Sequence, residues 1–223
     1  MTNYRTMHRW HIWLGWILAI PFLLWTLSGL FMVARPIEEV RGTALRAEAE
    51  QVNMTGLVLP KFDGPAGSAR LVKVGARDQW IVERGKRLER FDARSGTQLP
   101  EVDVNEASRL ADAAYLADAR PIKQVAFDAL HPPLDLRKAR PSWQVHFDDG
   151  THVYIDKESG EVLAIRTKQW RAFDFMWGLH IMDPVGREDT SHPLLITAAA
   201  LSLLSVIIGT IMLFKRRSRR KIR

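Results

Sequence analysis

The chain contains no cysteine. That absence excludes disulfides, thiol nucleophiles, thiolate metal sites and iron–sulfur clusters, so any folded part must hold together by packing. Charge is missing just as sharply in two places. No Asp, Glu, Lys or Arg occurs between Arg9 and Arg35, and none between Asp189 and Lys215. A hydrocarbon core of about 30 Å takes roughly 20 apolar residues in a helix. With no water there for backbone groups, a crossing run must be helical. Transmembrane helices are therefore expected over 10–34 and 192–214, with a polar region between them.

Acid is lacking from the outer flanks of both runs. Arg5 and Arg9 precede the first, and the tail 215–223 carries seven basic residues among nine. Positive flanks stay cytoplasmic, so 1–9 and 215–223 are expected inside a bacterial inner membrane and the middle in the periplasm. Of 32 Lys and Arg, nine lie in those flanks, which leaves 23 against 25 Asp and Glu in the middle. The exported part is nearly neutral, so the basic balance reports membrane orientation and not nucleic-acid binding. The tail suits anionic lipid head groups. The first run exceeds the roughly 7–15 apolar residues of a signal peptide, and the run from Phe31 to Pro36 lacks a small-residue cleavage pattern. A retained anchor is expected.

Between the runs, an irregular lead-in holding Pro36, Gly42, Gly56, Pro60, Gly64 and Pro65 gives way to two similar stretches. One runs from Gln79-Trp80-Ile81-Val82 to Asp92-Ala93-Arg94-Ser95-Gly96; the other runs from Ser142-Trp143-Gln144-Val145 to Asp156-Lys157-Glu158-Ser159-Gly160. Each alternates at period two, as strands with one buried face do. Asp149-Gly150 is a hairpin signal. In Asp-x-x-Ser-Gly the carboxylate accepts backbone N–H groups and Gly takes the left-handed position, so Asp92 and Asp156 read as turn-formers. Asn105 to Ala117 reads as a helix capped by Asn105, with an apolar stripe of Leu110, Ala113, Ala114 and Ala117. The expected architecture is α+β: two transmembrane helices flanking a periplasmic domain in which a helix packs on an antiparallel β-meander, itself duplicated or merely echoed. The lead-in and first β repeat span 35–101, the main domain 102–166, and an interfacial amphipathic helix with its break 167–189.

Glu106-Ala107, Pro141-x-Trp143-x-Val145-x-Phe147, Asp149-Gly150 and Val153-Tyr154-Ile155-Asp156 leading to Gly160-Glu161-Val162-Leu163 resemble a PepSY domain. His11-x-Trp13-Leu14-Gly15, Leu27-Ser28-Gly29, Leu179-His180 and Gly209 resemble the helices of PepSY-associated transmembrane proteins. The resemblance covers roughly 7–30 and 102–214, and order and spacing carry it. It implies a non-enzymatic binding or accessory role beside siderophore-iron uptake. For larger relatives it implies ferric-siderophore reduction with haem held by membrane histidines, and for soluble domains the restraint of peptidases. A structural subunit of a membrane complex is a further reading.

No catalytic constellation stands out, and no metal ligand set is assigned. His146, Asp148, Asp149 and His152 cluster in sequence. Such groups can relay protons or bind a metal, but the cluster reads first as a solvated hairpin tip. The membrane histidines weigh more, because ionisable groups in a span are costly. His11, Gly15 and Ala19 follow one helical face, and Ala198, Ser202, Ser205 and Gly209 give the second span a matching stripe. Small residues let helices approach closely, so other membrane proteins or a second copy are the expected partners. The haem alternative, with haem b, would use His11 and His180. These stand at opposite ends of the hydrocarbon, ~30 Å apart, whereas axial ligands of one iron sit ~4 Å apart. Haem ligation by His11 and His180 therefore requires a second chain or partner; the single-chain alternative is His180 with His192, if the Pro184 break folds them together.

Overall fold

The computed structural model describes residues 2–48, 51–61 and 64–220, with side chains over 4–48, 51–61 and 64–215. The last three residues of the basic tail lie outside the described residues. In chain order come α1 (Thr2–Val33), α2 (Ile37–Arg41), a 3₁₀ turn (Thr43–Leu45), β1 (Ser68–Val74), β2 (Arg77–Arg84) and β3 (Arg87–Asp92). There follow α3 (Val104–Ala114), β4 (Pro121–Phe127), β5 (Ser142–Phe147), β6 (His152–Asp156), β7 (Val162–Arg166), α4 (Lys168–His180) and α5 (Pro193–Arg220). The chain divides into a helical unit, 1–36 with 172–223, and a domain, 37–171.

In the helical unit, α1 and α5 are both long and apolar enough to cross a membrane. They pack against each other. Pro21 sits inside α1 without ending it, as membrane helices allow. The residues of α1 that lose solvent are Leu14, Leu18 and Ser28, and those of α5 are Ala198, Ser202, Ser205 and Met212. Steps alternating between three and four trace one packing seam. The α5 stripe lies on that seam, but Gly15 does not: a Cβ there would meet nothing within 4 Å. Steps of four advance about 400° at 100° per residue, so a line from His11 through Gly15 and Ala19 winds off the seam, while Leu14 and Leu18 stay on it.

The domain holds two antiparallel sheets, ordered β1-β2-β3 and β4-β5-β6-β7. Alternation sends Val145, Phe147, Val153, Ile155 and Ile165 to one face of the second sheet, where Ala107 and Ala111 of α3 close the core. The helix differs from the sequence expectation at both ends. Its N-cap is Asp103, whose carboxylate accepts the Glu106 N–H at 2.8 Å, and Asn105 is already helical. It stops at Ala114 because the chain at 45–47 takes over the backbone: Ala47 N–H donates to Ala114 O and Leu116 N–H to Leu45 O. Tyr115 meanwhile turns its hydroxyl to Asp149 and Thr151.

The two sheets share one hydrogen-bond framework. Val58 N–H donates to Ala93 O and Val58 O accepts the Trp80 indole; Val102 N–H donates to Lys157 O and Val102 O accepts the Trp143 indole. Ala93 N–H reaches Asp78 O where Lys157 N–H reaches Pro141 O, and Asp92 pairs with Thr97 as Asp156 pairs with Glu161. The two stretches diverge between the valine and the first strand, where the second inserts α3. Arg140 then ties the two sheets together, reaching Asp156 Oδ2 at 2.7 Å, Glu158 Oε2 at 2.9 Å and Lys86 O at 3.1 Å.

Candidate functional site

His11 and His180 each lie in a seat made by a neighbouring helix. His11 points its Nδ1 at Ser205 Oγ, 3.3 Å away, and its ring rests on Gly209, where a Cβ would come within 3.0 Å of the imidazole. His180 repeats the device on α1: Nδ1 meets Ser28 Oγ at 3.0 Å, its carbonyl accepts the Trp25 indole at 2.6 Å, and a Cβ on Gly29 would stand 3.3 Å from the ring. Leu27-Ser28-Gly29 and Leu179-His180, remote in sequence, thus meet. His192 sits at the start of α5, its Nδ1 facing Leu194 N–H at 3.3 Å.

These seats decide the fit to haem. Both contact α1, one at position 11 and the other at position 28, and seventeen residues of helix rise roughly 26 Å. Two axial ligands need a separation near 4 Å. One chain therefore cannot bring His11 and His180 to one haem iron.

In the domain, the sheet face away from α3 carries a polar chain. His146 Nε2 donates to Gln144 Oε1 at 2.8 Å, and Gln144 Nε2 donates to the Tyr154 hydroxyl, which in turn donates to Asp135 Oδ1. His152 Nδ1 faces Asp135 Oδ2 at 3.3 Å and Gln144 Nε2 at 3.2 Å. The His146 and His152 rings lie 4.2 Å apart between centroids. Burial, with His152 and Lys123 nearby, holds His146 below its ordinary value. Burial pushes the Asp135 carboxyl up, but hydrogen bonds from His152 and Tyr154 outweigh it and leave the group below its usual range. Burial and Asp135 push Tyr154 far up. The structure thus joins His146 to His152 but not to Asp148 or Asp149. Asp149 turns to Tyr115 and Thr151, and Asp148 accepts the Arg120 N–H. Asp135 is the partner that sequence reasoning missed; it follows Pro132-Pro133 in a loop and no spacing rule marks it.

A groove of about 420 Å³ opens between the edge strand β1 and α3. Val72 and Val74 of β1, Leu110 and Ala114 of α3, and Arg46 line it. Arg46 also donates to Val162 O, and Arg70 grips the Glu161 carboxylate at the rim. Apolar walls with a few charges and a strand edge are the makings of a binding site. Among the described residues, no cluster of three or more His, Asp or Glu is arranged to hold a metal ion.

Compared with known families, residues 8–223 match the family model described as the PepSY-associated TM region. No curated protein and no solved structure matches.

Proposed function

Because the chain belongs to the PepSY-associated TM region family, we propose that it is a membrane-anchored binding module with a non-enzymatic, accessory role. On this reading both termini are cytoplasmic, the domain stands in the periplasm, and the setting is siderophore-iron uptake. The positive flanks support the orientation, and the family resemblance supports the setting.

The observation that carries the binding role is the groove at β1. An edge strand offers unpaired backbone groups along one side, and an extended segment of a partner protein can add to it while side chains enter the adjoining apolar cleft. Val74 and Leu110 supply such walls. A photo-activatable residue at Val72 or Leu110 in the full chain, expressed in its membrane, tests this. A discrete adduct from both positions, and none from the exposed Leu130, is the expected result. Equal adducts at Leu130, or none anywhere, would overturn it. Catalytic turnover by the purified protein alone would remove the accessory role. A visible spectrum of protein expressed with ample haem addresses the rival electron-transfer role: no Soret band near one haem per chain is expected. A stoichiometric band abolished by His11→Ala or His180→Ala would establish that rival.

A further inference from the structure

On the sheet face opposite α3, one side-chain amide serves two imidazoles. Gln144 offers its oxygen to His146 Nε2 at 2.8 Å, while its nitrogen donates to the Tyr154 hydroxyl and reaches His152 Nδ1 at 3.2 Å. The oxygen and both N–H groups of the amide are thus engaged. His152 Nδ1 also stands 3.3 Å from Asp135 Oδ2, so it lies between a donor and a carboxylate. A bare Nδ1 accepts the amide N–H. A protonated Nδ1 turns to Asp135, where the bond is charge-assisted and stronger. The imidazolium carries protons on both nitrogens, so its Nδ1 belongs to the carboxylate.

His146 is placed differently. Its Nε2 meets a neutral oxygen, Lys123 stands in register with it on β4, and its ring lies 4.2 Å from that of His152. Two cations at that spacing repel, so charging one ring opposes charging the other. Arg166 on β7, in register with His152, and Arg171 on α4 add to that opposition. Tyr154 keeps its proton and donates it to Asp135. Asp135, held below the usual carboxylate range against the push of its burial by hydrogen bonds from His152 and Tyr154, keeps its charge while histidines titrate. We propose that Gln144 couples His146 and His152 into a one-proton switch: the proton settles on His152, and the resulting ion pair with Asp135 fastens the loop 128–141 to the sheet in acid. That loop already lies on this face, with Leu136 buried against Tyr154 and Ala164 and with Asp135 O accepting the Arg166 Nε at 2.7 Å. It carries the exposed Leu130 and Leu134, so the switch sets how firmly an apolar surface is held.

Nitrogen NMR of the full chain in detergent, with labelled histidine, tests this from about pH 8 to about 5. His152 is expected to gain a proton and keep Nδ1 protonated, while His146 stays neutral with its proton on Nε2. In His152→Gln, His146 should bind a proton roughly threefold or more tightly. Hydrogen exchange of the loop, corrected for the intrinsic effect of pH, should slow by about threefold over the same range. Asp135→Asn should abolish that slowing. His131→Gln should preserve it, although His131 faces Asp128 within the same loop. The spectrum of the unaltered chain does not depend on whether any variant folds. Both rings charged at about pH 5, a first proton on His146, or loop exchange equally pH-dependent in Asp135→Asn would each overturn the proposal.

Discussion

The turns Asp92–Gly96 and Asp156–Gly160 are built from the same local code and live in different surroundings. In the first, Asp92 Oδ1 accepts the Arg94 and Ser95 N–H groups at 2.9 and 2.8 Å. In the second, Asp156 Oδ1 accepts those of Glu158 and Ser159 at 2.8 and 3.0 Å. Gly96 and Gly160 both take positive φ, 72° and 79°, a region glycine enters without strain. Yet Ser95 is exposed, whereas Asp156, Glu158 and Ser159 are buried. The second turn is the place where the two sheets meet. Gln79 donates to Ser159 O, Leu88 N–H to Glu158, and Arg140 spans Asp156 and Glu158. Sequence specifies the bend; the neighbouring sheet decides what the bend is worth.

Removing the clamped carboxylate should therefore do the most damage. Asp156 is 1% exposed, and deleting one partner of a buried ion pair costs about 3–5 kcal/mol. Asp156→Ala is expected to lower the unfolding midpoint of the detergent-solubilised chain, followed by near-ultraviolet circular dichroism, by roughly 10–20 °C. The matching Asp92→Ala loses turn hydrogen bonds in water, worth about 1 kcal/mol, and should shift the midpoint by a few degrees. Equal losses at the two positions would mean that the Arg140 clamp contributes nothing beyond the turn itself.

Both turns were legible because their determinants lie within five residues. The two apolar helices and the strand alternation were legible too, because each is written in one continuous run of chain. What escaped depends on residues remote in sequence. Asp103 displaced Asn105 as N-cap because the helix begins two positions earlier than a cap at Asn105 would set, and α3 ended early because 45–47 pairs with its last turn. Gly15 satisfied a spacing of four, but only the two-helix seam shows which line is used. His11 and His180 were identified as candidate residues, while Ser205 and Ser28, which hold them, were visible only as stripe or motif members. Asp135 left no trace at all. Its role comes from a loop laid across β6, a contact that composition and periodicity do not encode.

The subtlest way to sharpen the comparison is acid. In the exposed turn, the Ser95 N–H, followed by those of Arg94 and the Ser95 hydroxyl, stabilises the Asp92 carboxylate and holds it below its ordinary value. Its folded value thus lies below the unfolded value of about 3.9. Such a group contributes stability above the unfolded value and loses it as pH falls through the folded one. Asp92→Asn keeps the shape and the carbonyl acceptor but removes the charge. The midpoint difference between wild type and Asp92→Asn should hold steady from pH 7 to about 5, then shrink below about 4 as the wild-type carboxyl protonates. Other carboxylates titrate in the same window, Asp149 and Glu161 among them, but both chains carry these and they cancel in the difference. A gap that widened with acid would show that Asp92 is not stabilised as a carboxylate, and the likeness between the two turns would then be one of backbone shape alone.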